Sequence, residues 1–387
     1  RRLMPVGQGA GAGGPRTATL GISTTSRCGV RDHGALLATA LEGEGCLCST
    51  HWLDRRPGTL KAARAQVGAW TQALPAELAD TRAEAALLHY SVFSYSYRGL
   101  PLFTHSVLAA VRRAKLPLVT LLHEFVYPWR RDGARGAAWA LSQRALLIDV
   151  VRASDALVAT TDFQAEWLAS QRWLAKRPIA VAPVFSNLPA PAVQQQRERP
   201  DAASIGLFGY AYGRETVELV VAALRALQDR GVDAQLHLLG APGAESPPGE
   251  AWLAAAREYG LTRAPSFSGL LAAQELSDAL AACELLLFVD PLGPNSRKTT
   301  LAASLASGRP LLALDGSRRW DELADARAAE LVPRSPRALA GALGGLLVDA
   351  QARERLAARG REFAEQRMSA PRAAHTIAAL LREVACR

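Results

Sequence analysis

The chain lacks any apolar run approaching the ~20 residues that a membrane-crossing helix requires. Cysteine is scarce: Cys28, Cys46, Cys48, Cys283 and Cys386 are odd in number and form no C-x-x-C pair. That pattern excludes a disulfide framework and fits a reducing, cytoplasmic compartment. Cys46 and Cys48 stand near His51 but lack a second ligand pair, so no zinc site is expected there. No Asp-x-Asp occurs, which removes the usual carboxylate pair for a divalent cation on a diphosphate, and no metal ligand is expected elsewhere. No dense basic run is interleaved with aromatics, so the net charge of +9 does not point to nucleic acid. Residues 1–16 are Gly-rich without an apolar h-region and read as a flexible leader, not a secretory signal.

What is present is a globular composition, 49% hydrophobic and 21% charged, over 387 residues, long enough for two or three domains. Short apolar runs alternate with segments of helical spacing. Ala18–Ser23, Gly45–Leu53, Ala85–Tyr90, Leu116–His123, Ala156–Thr160 and Ile179–Pro183 read as strands, with helices expected over Ala35–Leu41, Leu60–Leu74 and Leu102–Ala114. The rhythm restarts at Ala203 and ends in three helices. Such alternation predicts parallel sheets covered by helices on both faces. We expect two doubly wound α/β domains, 17–190 and 203–368, joined by a Pro- and Gln-rich linker at 191–202. The helix at 369–387 is expected to pack back on the first domain. Ligands of such sheets sit beyond the carboxyl ends of the strands, in a cleft that two facing domains would share.

One stretch stands out. Leu285–Val289 reads as a strand, Asp290, Pro291, Gly293 and Pro294 end it, and Asn295 and Ser296 are good N-cap types for a helix over Lys298–Ala306. Arg297 and Lys298 therefore lie at a helix N-terminus, where the dipole disfavours cations unless an anion is bound. A diphosphate on Asn295, Ser296, Arg297, Lys298, Thr299 and Thr300 satisfies that arrangement. Arg214, after the permissive Gly209 and Gly213, is a further phosphate candidate; an i,i+4 surface pair with Glu218 is the competing reading.

Several ordered segments together resemble the B-fold glycosyltransferases, nearest the large family 4. C-G-V-R-D-H at 28–33 is similar to that family's N-terminal glycine loop, and L-L-H-E-F at 121–125 to the strand end that places a histidine in the cleft. V-A-P-V-F-S-N at 181–187 resembles the exit from the first domain, and L-F-G-Y-A-Y-G-R-E at 207–215 the opening of the second. L-A-A-S-L-A-S-G-R-P-L-L-A at 301–313 resembles the donor-site helix and its following strand. The family's two donor-site glutamates fall on Asn295 and Ala303, and its lysine near Glu215. The S-R-K-T turn resembles the S-R-R-T-like turn of a bacterial subset.

The resemblance implies a glycosyltransferase-B fold and a hexosyltransferase that takes a nucleoside-diphosphate sugar as donor. It further implies transfer with retention; the missing Asp-x-Asp predicts a metal-independent reaction, and no cofactor is expected. Gly29 is then a donor contact, and His123, Asp32 and Glu124 are the catalytic candidates. Arg31, His33, Tyr95, Tyr97, Tyr127 and Trp129 are the acceptor candidates, since aromatic faces stack on sugars and cations pair with acidic groups. A saccharide, lipid-linked or small-molecule acceptor fits, and the basic aromatic loops allow peripheral contact with the inner membrane face. The competing functions are an epimerase or hydrolase of the same fold and a non-catalytic partner of an active transferase.

Overall fold

A computed structural model describes residues 13–25, 28–129, 131–192 and 202–387. Most of the leader and of the expected linker lies outside the described residues. The chain divides into two compact units, Arg1–Pro183 with Ala370–Arg387, and Val184–Ser369.

The first unit runs β1 (Arg16–Ser23), α1 (Gly29–Gly43), β2 (Leu47–Asp54), α2 (Leu60–Asp80), β3 (Ala85–Ser91), α3 (Thr104–Arg113), β4 (Leu118–Glu124), α4 (Gly133–Ala153), β5 (Ala156–Ala159), α5 (Asp162–Ser170) and β6 (Ile179–Val181). Its strands form one parallel sheet in the order β2-β1-β3-β4-β5-β6. Strand β3 is buried along its whole length, as befits a central strand covered on both faces. The order reverses direction between β1 and β3, so this pair marks the sheet's switch point.

The second unit runs β7 (Ala203–Phe208), α6 (Arg214–Gln228), β8 (Ala234–Leu239), α7 (Pro247–Glu258), β9 (Ser266–Phe267), α8 (Ala273–Ala281), β10 (Leu285–Phe288), α9 (Thr299–Ala306), β11 (Leu311–Leu314), α10 (Asp321–Asp325), β12 (Glu330–Val332), α11 (Pro336–Val348) and α12 (Ala350–Arg367). Its parallel sheet has the order β12-β11-β10-β7-β8-β9, the dinucleotide-fold order, with its switch point between β7 and β10. Leu285, Leu286, Leu287 and Phe288 in β10 are all buried, packed by helices on either side.

Two helices differ from expectation. Helix α2 continues through Pro75 to Asp80, because Leu74 and Leu78 hold one face in the core and Thr59 caps its start by accepting from the Ala62 amide at 3.2 Å. Helix α1 begins at Gly29, not at Ala35, so the glycine-loop residues form a helical first turn. Asp32 there is favourably placed against the dipole, and its amide donates to the Cys28 carbonyl at 2.9 Å.

The last helix, α13 (Ala370–Ala385), packs on α1 and buries Ala374, Ile377 and Leu381. The Arg382 guanidinium donates to the Glu44 carbonyl at the end of α1. No helix among the described residues is long and apolar enough to cross a membrane. Ile377 is fully buried, so Ile377→Ala is expected to lower the stability of the first unit by ~2–5 kcal/mol. Urea unfolding followed by tryptophan fluorescence checks this; an unshifted transition would show that α13 contributes little to the unit.

Candidate functional site

The two switch points gather most of the candidate residues. In the second unit the chain leaves β7 through Gly209, whose φ of +75° is cheap only for glycine. A Cβ added at Gly209 would lie 3.1 Å from the Thr300 methyl group. The carboxyl ends of β7 and β10 are thereby joined, Gly209 on one side and the mouth of α9 on the other.

That mouth is built differently from expectation. The N-cap is Lys298, not Asn295 or Ser296, and it makes no side-chain cap. The Asn295 carboxamide is used within the turn: its oxygen accepts from the Arg297 amide at 3.3 Å and its nitrogen donates to the Gly293 carbonyl at 3.3 Å. Ser296 is buried, and its carbonyl accepts from the Val184 amide at 2.8 Å. The turn is thus fixed from both sides, while the first turn of α9, starting at Thr299 and Thr300, receives no N-cap side chain. Lys298 bonds Asp290 at 2.6 Å and remains 35% exposed, leaving ammonium donors for a ligand. Asp290 also reaches Tyr212, whose phenol is pushed up first by burial and then by that carboxylate. Arg297 is half-buried beside it. Ala303, on α9, is packed in the core, and Asn295 serves the turn.

Arg214 does not join this group. It is 79% exposed and bonds Glu218 at 2.5 Å, with Glu258 at 3.8 Å, an exposed i,i+4 surface pair. Glu215 pairs with Arg334 at 3.2 Å.

In the first unit the expected catalytic residues separate. Gly29 and Asp32 are exposed on the first turn of α1, and Arg31 bonds both carboxylate oxygens of Asp54 at 2.7 Å. His33 turns inward and is buried. His123 is buried near the carboxyl end of β4, whereas Glu124, the last residue of the strand, is exposed. The ring partner of His123 is His89 on β3, Nδ1 to Nε2 at 3.2 Å. His89 escaped the sequence reading. Its only signal was a titratable residue near the carboxyl end of a wholly apolar strand.

The three histidines form one cluster. Ring centroids lie 5.3 Å apart for His33 and His123 and 5.5 Å apart for His89 and His123. One ligating atom from each lies within 4.8 Å of the others, a grouping that the expectation of no metal ligands did not include. Gly34 allows it: a Cβ there would meet Trp52 of β2 at 2.7 Å and His89 at 3.3 Å, so glycine lets α1 lie this close to the sheet beside His89. Burial holds His123 down to about 4. Burial first, then the neighbouring imidazoles, hold His33 and His89 well below the ordinary range, so all three are neutral at pH 7.

The acceptor candidates largely pack on their own unit. Tyr95 is a correction: it is wholly buried, and its hydroxyl donates to the His89 carbonyl at 3.0 Å, so it supports the cluster and cannot stack on a ligand. Tyr127 lies edge-on to Trp139 at 5.2 Å and donates to Asp132. Tyr97 is half-buried with Arg98 over its ring at 5.6 Å. Trp129 remains 51% exposed under the Arg144 guanidinium at 4.3 Å, the one expected aromatic still presenting a broad surface. Near the Cys46 and Cys48 pair, His51 bonds Ser49 and Glu77, and burial first, then Cys46 and Glu42, push the Cys48 thiol up to about 12.

The histidine cluster makes stability depend on pH. Each ring has a folded pKa below its unfolded value of ~6.5, so the unfolded chain binds protons that the folded chain refuses. Stability is full above that value and is lost as pH falls toward about 4, the folded value of His123. Melting temperature measured from pH 7.5 to 5 in EDTA should fall less steeply for His123→Asn than for the parent; parallel slopes would remove the cluster as a cause.

No protein-family model matches the chain, and no curated protein sequence matches it. Solved structures do. Sucrose-phosphate synthase from Thermosynechococcus elongatus is similar at a TM-score of 0.69 and 16% identity, over 95% of this chain and 99% of its own. HepE of Anabaena, solved in complex with UDP and glucose, is similar at 0.65 and 15% identity, over 95% and 99%. A putative UDP-N-acetylglucosamine 2-epimerase from Listeria monocytogenes is similar at 0.59 and 15% identity, over 94% and 95%. The two six-stranded parallel-sheet units of this chain are therefore a glycosyltransferase-B fold, the fold of sugar-transferring enzymes and of that epimerase alike.

Proposed function

We propose that the protein is a glycosyltransferase moving a sugar from a nucleoside-diphosphate sugar to an acceptor hydroxyl. The observation that carries this is the β7–β10 switch point, where Gly209 opens the approach to a helix N-terminus with no side-chain cap and with Arg297 and Lys298 at its mouth. Amides of Thr299 and Thr300 and the two cations stabilise the negative charge that grows on the leaving diphosphate. Asp290 holds the Lys298 ammonium in place before the ligand arrives, which lowers the ordering cost of binding. Charge neutralisation by these groups supports a metal-independent donor site. The family resemblance supports retention at the anomeric carbon and action in the cytoplasm. The first unit contributes the acceptor side, with the exposed edge of α1 and Trp129 offered to a saccharide, lipid-linked or small-molecule acceptor.

An epimerase or hydrolase acting on the same donor is the second reading, favoured by the shared fold of the Listeria protein. It differs in consuming the nucleotide sugar without an acceptor.

The test is a thermal-shift panel of UDP, GDP, ADP, dTDP and their common sugars, with and without EDTA. One base should stabilise the protein by about 2.7 kcal/mol at 100 times its dissociation constant, equally in both buffers. Arg297→Ala/Lys298→Ala should then bind that nucleotide ~10- to 100-fold more weakly, since charge-assisted hydrogen bonds are involved. Stabilisation by no nucleotide would sink the reading, and unchanged affinity in the double variant would move the diphosphate elsewhere. Donor turnover that proceeds at full rate without any acceptor would select the second reading.

A further inference from the structure

We propose that His33, His89 and His123 form a three-histidine site for a divalent transition cation of the zinc class, within the first unit. The proposal is independent of the donor site in the second unit.

The geometry is that of a ligand set. Three ligating atoms from three separate elements, α1, β3 and β4, lie within 4.8 Å of one another. The His89 and His123 nitrogens face each other at 3.2 Å. Two imidazoles on one tetrahedral zinc, with bonds of ~2.0–2.1 Å, stand ~3.3 Å apart. The elements carrying them are fixed by the sheet, by Gly34 against His89, and by the Tyr95 hydroxyl on the His89 backbone. The site lies at the carboxyl ends of β3 and β4, beside the switch point where ligands of such sheets bind.

The electrostatics agree. Metal ligation requires neutral imidazoles, and this environment keeps all three neutral. Without a cation, the facing His89 and His123 nitrogens share one proton in a hydrogen bond. A cation satisfies one lone pair on each ring. Imidazole-only ligation selects zinc, cobalt, nickel or copper over magnesium and calcium, which prefer oxygen. Three neutral ligands leave the ion its full charge, so a fourth position takes a water, a hydroxide or an anionic oxygen. His123, 7% exposed against 1% for His89, marks the side from which ion and fourth ligand enter. The outer nitrogen of His89, Nε2, has no hydrogen-bond partner among the described residues. Outer partners of that kind tighten metal binding by ~10–100-fold, so this site is expected to exchange its ion readily.

The experiment uses the full chain stripped with chelator and dialysed. Titration with Co²⁺ should give the visible absorption of a four-coordinate ion, saturating at one ion per chain, bleached by one equivalent of Zn²⁺ and untouched by Mg²⁺ or Ca²⁺. His33→Asn, His89→Gln and His123→Asn should each weaken binding at least about tenfold, while Cys48→Ser leaves it unchanged. His123 lies at the rim, so His123→Asn carries the test should the buried His89→Gln fail to fold; melting of the chelated variants shows which do. Absence of a saturable site for Co²⁺ or Zn²⁺, or a site that survives His123→Asn and is lost in Cys48→Ser, overturns the proposal.

Discussion

Everything in this molecule follows from burying parallel strands on both faces. Parallel strands need crossover connections, and helices are the connections that bury an apolar face while satisfying their own backbone. Each crossover brings the chain back to the same edge, so every strand-to-helix turn of a sheet opens on its carboxyl side. Where the strand order reverses, two neighbouring turns run apart and leave a crevice. The second unit places Gly209 and Thr300 at the crevice of its own sheet, and the first unit places His33, His89 and His123 beside the crevice of its own.

The two crevices are electrostatic opposites. The mouth of α9 gathers positive charge against the usual preference of a helix N-terminus, with Asp290 paired to Lys298. It is suited to an anion. The histidine cluster excludes charge from its own rings and presents lone pairs instead, which suits a cation. One sheet architecture, repeated in one chain, thus produces two different chemistries from the residues that happen to stand at the turn.

Much of this was legible before the structure. Apolar runs bounded by glycine and proline located the six strands of the first unit and β10 to within a few residues, because strand and helix periods are local consequences of backbone geometry. The turn at 290–300 was legible for the same reason: a strand, breakers and a helix lie in sequence, so their juxtaposition needs no long-range folding. The N-cap register was not, because Asn295 chose its own turn over the helix. Tyr95 was misread, since a tyrosine in an aromatic loop looks alike in sequence whether it meets a ligand or is buried against its own strand.

By itself the sequence determined the alternation of strands and helices, hence parallel sheets, and it determined which turn carries the cations. Tertiary structure alone decided that His33, His89 and His123 meet, that Tyr95 lies beneath them and that His123 faces His89 and not Glu124. The physical reason is that local periodicity is set by neighbours along the chain. Convergence across strands is set by sheet order and by close approaches such as that at Gly34, which no spacing in the sequence records.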